Sequence, residues 1–288
     1  MLKLGLGTVQ FGMDYGINNT KGRVLKEEAF EILKVAWNNG IDMLDTSALY
    51  GESEYVIGQF LKENNVPFKI ISKLPPCDAD DIESRLCESL KKLNRESLFG
   101  YLIHHFDSFR ENRHIWDILQ KAKSQKKVEK LGFSLYYPQE VEYLMMENVE
   151  FDMVQVPFSI FDQRFSGIFE VLRERNVEIH VRSVFLQGLV FKNALTMHGI
   201  FENFKDKLSS LHSISQDIGI PISALCLNFA VLNEYIDKVI IGIDSLSNLQ
   251  ENINALRYQD RVGDVYNSLL DLKEDNEKII LPFNWEKQ

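Results

Sequence analysis

Short apolar runs alternate with longer segments whose apolar residues recur at helical spacing, and this alternation extends along the whole chain. A buried strand is a run of about four to eight mostly apolar residues, whereas a helix is longer and has a periodic apolar face. The pattern predicts strands over residues 4–8, 41–45, 69–73, 97–104, 130–134, 153–157, 178–183 and 238–241. It predicts helices over residues 26–39, 54–63, 80–93, 113–125, 139–147, 165–175, 201–218, 223–232, 248–256 and 262–275.

Strands that alternate regularly with helices are typical of a parallel α/β fold. No Pro- or Ser-rich linker interrupts the alternation, and a (β/α)8 barrel takes about 250 residues. We therefore predict a single domain over residues 1–288, folded as a (β/α)8 TIM barrel with an additional C-terminal helix. The alternative is an open doubly wound sheet, whose dinucleotide fingerprint needs a third glycine that Gly5-Leu6-Gly7 lacks.

Composition narrows the function classes. The 288 residues are 45% hydrophobic and 26% charged, and the formal net charge is −10, which argues against nucleic acid or an anionic membrane as a partner. No apolar run is long enough to span a bilayer, and no secretory signal opens the chain. The three cysteines are few and lack metal-ligand spacing, as do the scattered histidines. These features predict a cytoplasmic protein without a metal site.

Titratable side chains occur at the ends of several predicted strands. Asp45, Lys73 and His104 each end a strand, and Tyr50 follows the first of these strands closely. In a barrel these ends meet on one face, so we expect the four side chains to share a pocket. Each of these four residues alone has an ordinary structural interpretation. Together they indicate a reactive site, because a cation beside a phenol favours the phenolate. His105 is the rival to His104, and on a strand the two face opposite ways.

At this point the chain resembles the aldo-keto reductases. The resemblance rests on Asp45-Thr46-Ser47-Ala48-Leu49-Tyr50-Gly51, on Lys73 and on Leu102-Ile103-His104. It implies an NAD(P)H-dependent oxidoreductase that reduces a carbonyl to an alcohol by hydride transfer. In that reaction Tyr50 is the general acid, Lys73 paired with Asp45 lowers the pKa of Tyr50, and His104 orients the carbonyl oxygen.

Segments later in the chain resemble the cofactor-binding segments of the same family. They are residues 4–12, 131–134, 152–157, 182–189 and 239–252. The resemblance implies a nicotinamide dinucleotide, NADP or NAD, held by the following residues: Gly7, Thr8, Asp45, Ser134, Gln155, Arg182, Ser183, Phe185, Gln187, Gly188, Gly242, Asp244, Asn248, Glu251 and Asn252.

Two departures from the family pattern bear on the cofactor. Arg182 stands where an aromatic residue commonly stacks on the nicotinamide, and a guanidinium can stack too. Gly242, Asp244 and Asn248 stand where relatives carry Arg or Lys for the 2′-phosphate. We therefore expect weak discrimination between the two dinucleotides or a preference for NADH.

The substrate is expected to be a small-molecule carbonyl compound, with aldehyde, ketone and sugar-type compounds all open. Its specificity lies in the loops 12–24, 106–112 and 188–199, where aromatic side chains suggest a partly apolar wall made of Tyr15, Phe106, Phe161 and Phe191. Two alternatives remain. One is a cofactor-binding regulatory or redox-sensing accessory protein with little turnover, and the other is a barrel hydrolase or lyase that uses Lys73.

Overall fold

The centre of the molecule is a closed barrel of eight parallel strands that follow one another in chain order. The computed structural model describes residues 2–17, 19 and 21–285. Each strand pairs with the next, and β1 pairs with β8 to close the barrel. The strands are β1 Leu4–Gly7, β2 Met43–Asp45, β3 Lys69–Leu74, β4 Leu98–Ile103, β5 Val128–Ser134, β6 Met153–Pro157, β7 Glu178–Arg182 and β8 Lys238–Gly242. The predicted (β/α)8 barrel is confirmed.

Helices surround the barrel and connect its strands. They are α1 Val9–Gly12, α2 Lys26–Asn38, α3 Ser53–Glu63, α4 Ile82–Lys92, α5 Phe106–Glu111, α6 His114–Ser124, α7 Pro138–Met146, α8 Phe169–Glu174, α9 Lys205–Asp217, α10 Ile222–Leu232, α11 Leu246–Ala255, α12 Gln259–Asp264, α13 Tyr266–Leu270 and α14 Glu277–Ile280. Short 3₁₀ helices cover Ala79–Asp81, Ser166–Ile168, Leu186–Phe191, Ala194–Thr196, Gly199–Phe204, Leu256–Tyr258 and Pro282–Asn284.

The structure departs from the predicted helices in four places. The segments 80–93, 165–175 and 201–218 open with the 3₁₀ turns Ala79–Asp81, Ser166–Ile168 and Gly199–Phe204 before α4, α8 and α9 begin. The predicted helix 262–275 is two short helices, because the chain bends at Val265. The bend lets the Tyr266 ring stack on Phe229 with centroids 4.9 Å apart. Tertiary packing therefore overrides the helical period there.

Helices α1 and α5 lie in loops in which the sequence pattern predicts no element. Both follow a strand directly, α1 after β1 and α5 after β4, so they stand at the end of the barrel where functional residues gather.

The inside of the barrel is filled with side chains. An inner cluster consists of Met43, Ile71, Leu102, Met153 and Ile240, each at most 5% exposed. Small residues make room for it: a Cβ added at Gly100 would lie 2.9 Å from the Met153 sulfur. The barrel is thus a packed core, and it leaves only its rim for a ligand.

Helix α10 is part of the outer core, and its residues from Ala224 to Ala230 are all buried. Within the described part of the chain, no single helix is long and apolar enough to cross a membrane. The segments Gly199–Asp217 and Ile222–Leu232 together reach the required length and apolarity, but they are bent by 96° relative to each other.

Candidate active site

Three strand ends bring the predicted catalytic side chains together. Asp45 is the last residue of β2, Lys73 lies near the end of β3, and His104 directly follows β4. Parallel pairing sets the positions of these residues along the barrel axis: Lys73 pairs with Leu102, which lies two residues before His104. Thr8 secures the neighbouring strand end, because its N–H and its hydroxyl both donate to the Asp45 carbonyl, at 3.0 and 2.9 Å.

Lys73 is the centre of a buried hydrogen-bonded group. Its ammonium donates to Asp45 Oδ1 at 2.9 Å and Oδ2 at 2.7 Å, and to the Thr46 carbonyl at 3.0 Å. It also donates to the Tyr50 hydroxyl at 3.5 Å. The Lys73 and Asp45 side chains are 1% and 5% exposed, so water does not screen this pair. Gln155 supports the carboxylate by donating to Asp45 Oδ1 at 2.7 Å.

Two opposing effects act on the pKa of Tyr50. Burial raises the pKa of the phenol, and the ammonium of Lys73 opposes that rise without overcoming it. Lys73 thus acts on the pKa of Tyr50 in the expected direction, and burial has the larger effect. For Lys73, burial works to lower the pKa, but Asp45 and Tyr50 outweigh burial and raise it. At neutral pH the group therefore holds a protonated phenol beside an ammonium.

His104, and not His105, faces this group. His104 lines the same pocket as Tyr50, and their rings meet edge to face with centroids 5.9 Å apart. His105 is exposed. Burial, with the charge of Lys73 next in size, lowers the pKa of His104 to about 2, so the imidazole is neutral.

Ser47 holds the other side of the His104 ring. Its Oγ lies 3.0 Å from His104 Nδ1 and accepts a hydrogen bond from the Leu49 N–H at 3.1 Å. A hydroxyl that already accepts from a backbone amide still has its own proton to donate. The pair therefore favours donation from Ser47 to Nδ1, which leaves the ring proton on Nε2. Sequence reasoning missed this partner, because only the fold brings Ser47 and His104 together.

A pocket of about 630 Å³ opens over these residues. That volume lies within the range of about 300–1,000 Å³ usual for small-molecule sites. Asp45, Tyr50 and His104 line the pocket, while Lys73 reaches it only through Asp45 and Tyr50. Every residue predicted to hold the cofactor lines it: Gly7, Thr8, Asp45, Ser134, Gln155, Arg182, Ser183, Phe185, Gln187, Gly188, Gly242, Asp244, Asn248, Glu251 and Asn252.

The polar groups along this pocket fit a dinucleotide. Ser134 and Gln155 stand in register on β5 and β6, so a hydroxyl and an amide face the pocket side by side. Gln10 also lines it, and its buried Oε1 has no hydrogen-bond partner among the described residues. Such an acceptor suits a ligand amide or hydroxyl. At the far end, helix α11 begins behind Ser245, whose hydroxyl accepts from the Asn248 N–H at 3.3 Å.

The loop after β7 carries unusual backbone angles. The φ angles of Ser183, Leu186 and Gln187 are +66°, +44° and +52°, in the left-handed region that non-glycine residues rarely adopt. Such conformations occur most often at functional sites. Gln187 also donates to the Tyr15 hydroxyl at 2.9 Å and so ties this loop to the loop after β1.

The β8 end of the pocket carries acidic and amide groups. Asp244, Asn248, Glu251 and Asn252 line it, and among the described lining residues Arg182 is the one Lys or Arg. Basic residues elsewhere that could fold over this end, Lys192, Arg257 and Arg261, do not line the pocket.

Two of the four aromatic residues that the sequence predicts in the substrate wall do not line the pocket. Phe106 is 7% exposed and packs on Phe133, while Phe161 is fully buried against Phe204. Tyr15 and Phe191 do line the pocket. Tyr136 also lines it and was not foreseen. Aromatic residues in a loop look alike in sequence, and only packing decides which of them turn inward.

Comparison with known proteins identifies the family of this chain. The model of the aldo/keto reductase family matches residues 3–266. The chain is 22% identical to L-galactose dehydrogenase of Arabidopsis thaliana, over 90% of this chain and 87% of the relative. It is 21% identical to the uncharacterized oxidoreductase YqkF of Bacillus subtilis (strain 168), over 88% and 86%.

Solved structures share the fold. The aldo-keto reductase AKR11C1 from Bacillus halodurans superposes with a TM-score of 0.72 at 18% identity, covering 91% of each chain. The thermostable aldo-keto reductase Tm1743, solved with the inhibitor epalrestat, has a TM-score of 0.71 at 21% identity, covering 93% of this chain and 95% of the other.

Proposed function

Because the chain belongs to the aldo/keto reductase family, we propose that it is an NAD(P)H-dependent oxidoreductase that reduces a carbonyl group to an alcohol, with Tyr50 as general acid. The observation that carries the proposal is the buried group in which Lys73 bonds both Asp45 and the Tyr50 hydroxyl. A phenol held beside a paired ammonium fits proton donation to an alkoxide better than it fits Schiff-base chemistry at Lys73.

The cofactor would lie along the pocket. Ser134, Gln155 and Arg182 would hold its nicotinamide end, and Asp244, Asn248 and Asn252 its adenosine end. When bound, the dihydronicotinamide supplies a hydride to the substrate carbon.

Tyr50 supplies the proton that this reaction needs. A carbonyl that gains a hydride becomes an alkoxide, and the phenol is protonated at neutral pH because burial raises its pKa. The proton passes from the Tyr50 hydroxyl to the alkoxide oxygen, and the phenolate left behind lies beside the Lys73 ammonium, at 3.5 Å between Nζ and the hydroxyl oxygen. Asp45 keeps that ammonium charged and in place. Lys73 therefore stabilises the product state of the proton transfer.

His104 orients the substrate oxygen. Because the imidazole is neutral and Ser47 engages Nδ1, the ring proton stays on Nε2 and is available for the carbonyl oxygen. A neutral donor stabilises developing negative charge without competing with Tyr50 as an acid.

The first test is turnover. Purified protein is mixed with NADH or NADPH and a panel of aldehydes, ketones and sugar-type carbonyl compounds, and nicotinamide absorbance is followed. Aldoses belong in the panel because a relative is named L-galactose dehydrogenase. Cofactor binding without turnover of any compound would favour the regulatory accessory protein instead.

The second test isolates Tyr50. Tyr50→Phe keeps the ring and removes the proton donor, so we expect kcat to fall by about 10²–10⁴-fold while the cofactor Kd changes little. Tyr55→Phe is the matched control, since Tyr55 lies on α3 with 52% of its surface exposed. Activity of Tyr50→Phe within a few-fold of the control would contradict the assignment.

A further inference from the structure

A second cavity, of about 800 Å³, opens at the end of the barrel opposite the active site. It is lined by the first residues of β3, β4 and β5, which are Lys69, Leu98 and Val128, and by the turns that precede these strands. Its volume lies within the range of about 300–1,000 Å³ usual for small-molecule sites. None of the residues described along it lines the active-site pocket, so the carbonyl reduction proposed above makes no use of this cavity.

Basic side chains dominate the charge of this cavity. Lys69, Arg95, Lys123 and Lys126 line it, and Glu129 is the one acidic residue among its described lining residues. The chain as a whole has a formal net charge of −10, so the cavity is a local positive region on an acidic protein. A concave site lined by one sign of charge concentrates ions of the opposite sign.

Neighbouring carboxylates neutralise only part of this charge. Asp152 pairs with Lys123 at 2.6 Å, so the charges of these two residues cancel. Asp42 is shared, because it lies 2.7 Å from the ammonium of Lys238 and 3.6 Å from that of Lys69. One carboxylate therefore serves two lysines, and Lys69 has none of its own.

Arg95 is half-buried and held in a fixed orientation. Its Nη2 donates to the carbonyl of Val66, in the turn before β3, at 2.8 Å. Among the described residues no carboxylate pairs with the guanidinium, and burial lowers the pKa of Arg95 with no acidic group to oppose it. A guanidinium has five N–H donors in one plane, so a single hydrogen bond to the protein leaves donors for a bidentate contact with an anion.

Lys126 occupies a backbone position that elsewhere in this chain is taken by glycine or asparagine. Six helices, α2, α4, α6, α7, α8 and α9, are followed two residues after their ends by a residue with a φ angle between +51° and +81°. These residues are Gly40, Asn94, Lys126, Asn148, Asn176 and Gly219. Glycine and asparagine adopt this left-handed conformation at the least cost, and lysine does not. Residues kept in an unfavourable conformation occur most often at functional sites.

Three cations of the cavity, Lys69, Arg95 and Lys126, thus lack a carboxylate of their own among the described residues, and Glu129 alone opposes them. The excess is two positive charges. A phosphate monoester carries close to two negative charges at pH 7, whereas a carboxylate carries one.

We propose that this cavity binds a phosphorylated small molecule. Arg95 donates in parallel to two oxygens of the phosphate, and the ammonium groups of Lys69 and Lys126 supply the remaining positive charge. The site is separate from the active-site pocket, so the proposal stands or falls independently of the proposed function.

The test is calorimetric titration of the whole protein, without cofactor, with three compounds of the same size that differ in charge. They are glycerol 3-phosphate, glycerate and glycerol, and inorganic phosphate is titrated as well. We expect glycerol 3-phosphate and inorganic phosphate to bind, glycerate to bind more weakly because it carries one charge, and glycerol not to bind. Binding should weaken as salt is added, because the cavity is open to solvent ions.

Variants assign the binding to this cavity. In Arg95→Gln the Kd of glycerol 3-phosphate should rise by about 10- to 100-fold, because hydrogen bonds between charged groups are lost. Lys126→Asn should also weaken binding, yet it should make the free protein more stable to urea, since asparagine adopts the left-handed conformation at less cost. A lysine with only a structural role would not give these opposite effects. The control is Lys62→Gln, which removes the same charge from α3 outside the cavity and should keep the Kd of the parent.

Three results would overturn the inference. They are the absence of binding of both phosphates at millimolar concentration, equal binding of glycerol 3-phosphate and glycerol, and a Kd that neither Arg95→Gln nor Lys126→Asn changes, which would place the phosphate elsewhere on the protein. If Arg95→Gln does not fold, Lys126→Asn decides, because an unchanged Kd in that variant refutes the site. None of these results bears on carbonyl reduction, since the substituted residues lie outside the active-site pocket.

Discussion

Replacing Lys73 by methionine tests the buried group most directly. The substitution keeps a long apolar stem and removes the ammonium that bonds Asp45, the Thr46 carbonyl and the Tyr50 hydroxyl. Asp45 is 3% exposed, so its carboxylate is left in the protein interior with the Gln155 amide as its remaining side-chain donor among the described residues.

The size of the effect follows from burial. Removing one partner of a buried ion pair costs about 3–5 kcal/mol, because the other charge is left uncompensated. Gln155 still donates to Asp45 at 2.7 Å, so we expect a loss near the lower end, roughly 3 kcal/mol of unfolding free energy. Folded proteins of this kind are stable by about 5–15 kcal/mol, so the variant folds but is clearly weakened.

The assay is urea unfolding of the parent, Lys73→Met, Asp45→Asn and the double variant at pH 7. If an uncompensated carboxylate causes the loss, removing it as well should restore a large part of the stability, so the double variant should be more stable than Lys73→Met.

Two results would refute this reasoning. One is a Lys73→Met protein within about 1 kcal/mol of the parent, which would mean that water reaches Asp45 freely. The other is a double variant no more stable than the single one, which would mean that packing and not charge holds the group.

Three further predictions concern His104, its partner and the cofactor. Ser47→Ala removes a hydrogen bond worth about 0.5–1.5 kcal/mol, so kcat should fall about 2- to 10-fold, and ¹⁵N spectra should show His104 leaving the tautomer with the proton on Nε2; an unchanged tautomer would contradict the role of Ser47. Burial holds the pKa of His104 near 2, whereas an unfolded histidine has a pKa of about 6.5. The unfolding free energy of the parent should therefore fall by about 1.4 kcal/mol per pH unit relative to His104→Gln as pH falls below 6.5. Unfolding free energies from urea titrations that change in parallel for the two proteins would disprove it. NADPH should not bind tenfold tighter than NADH, and Asp244→Arg should move the preference toward NADPH; tenfold tighter, salt-weakened binding of NADPH to the parent in fluorescence titrations would reveal a basic clamp that the lining residues do not show.

The sequence by itself determined the barrel and the places of its reactive side chains. A short apolar run predicts a strand, because a parallel strand is buried on both faces. The polar residue that ends the run, Asp45, Lys73 or His104, then lies at the end of the barrel, where side chains are no longer surrounded by apolar core. Chain order then becomes barrel order, since each strand pairs with its successor. These are local patterns repeated at short range, and they can be read without knowing any long-range contact.

Only the tertiary structure decided how those side chains act on one another. The net rise in the pKa of Tyr50 depends on how completely the fold buries the phenol, which no spacing along the chain records. Ser47 and His104 are 57 residues apart, and their hydrogen bond exists because β2 and β4 end at the same rim. Whether Arg95 has an acidic partner depends likewise on the turns before several strands. Such contacts are set by packing between distant segments, so their energies appear only once the chain has folded.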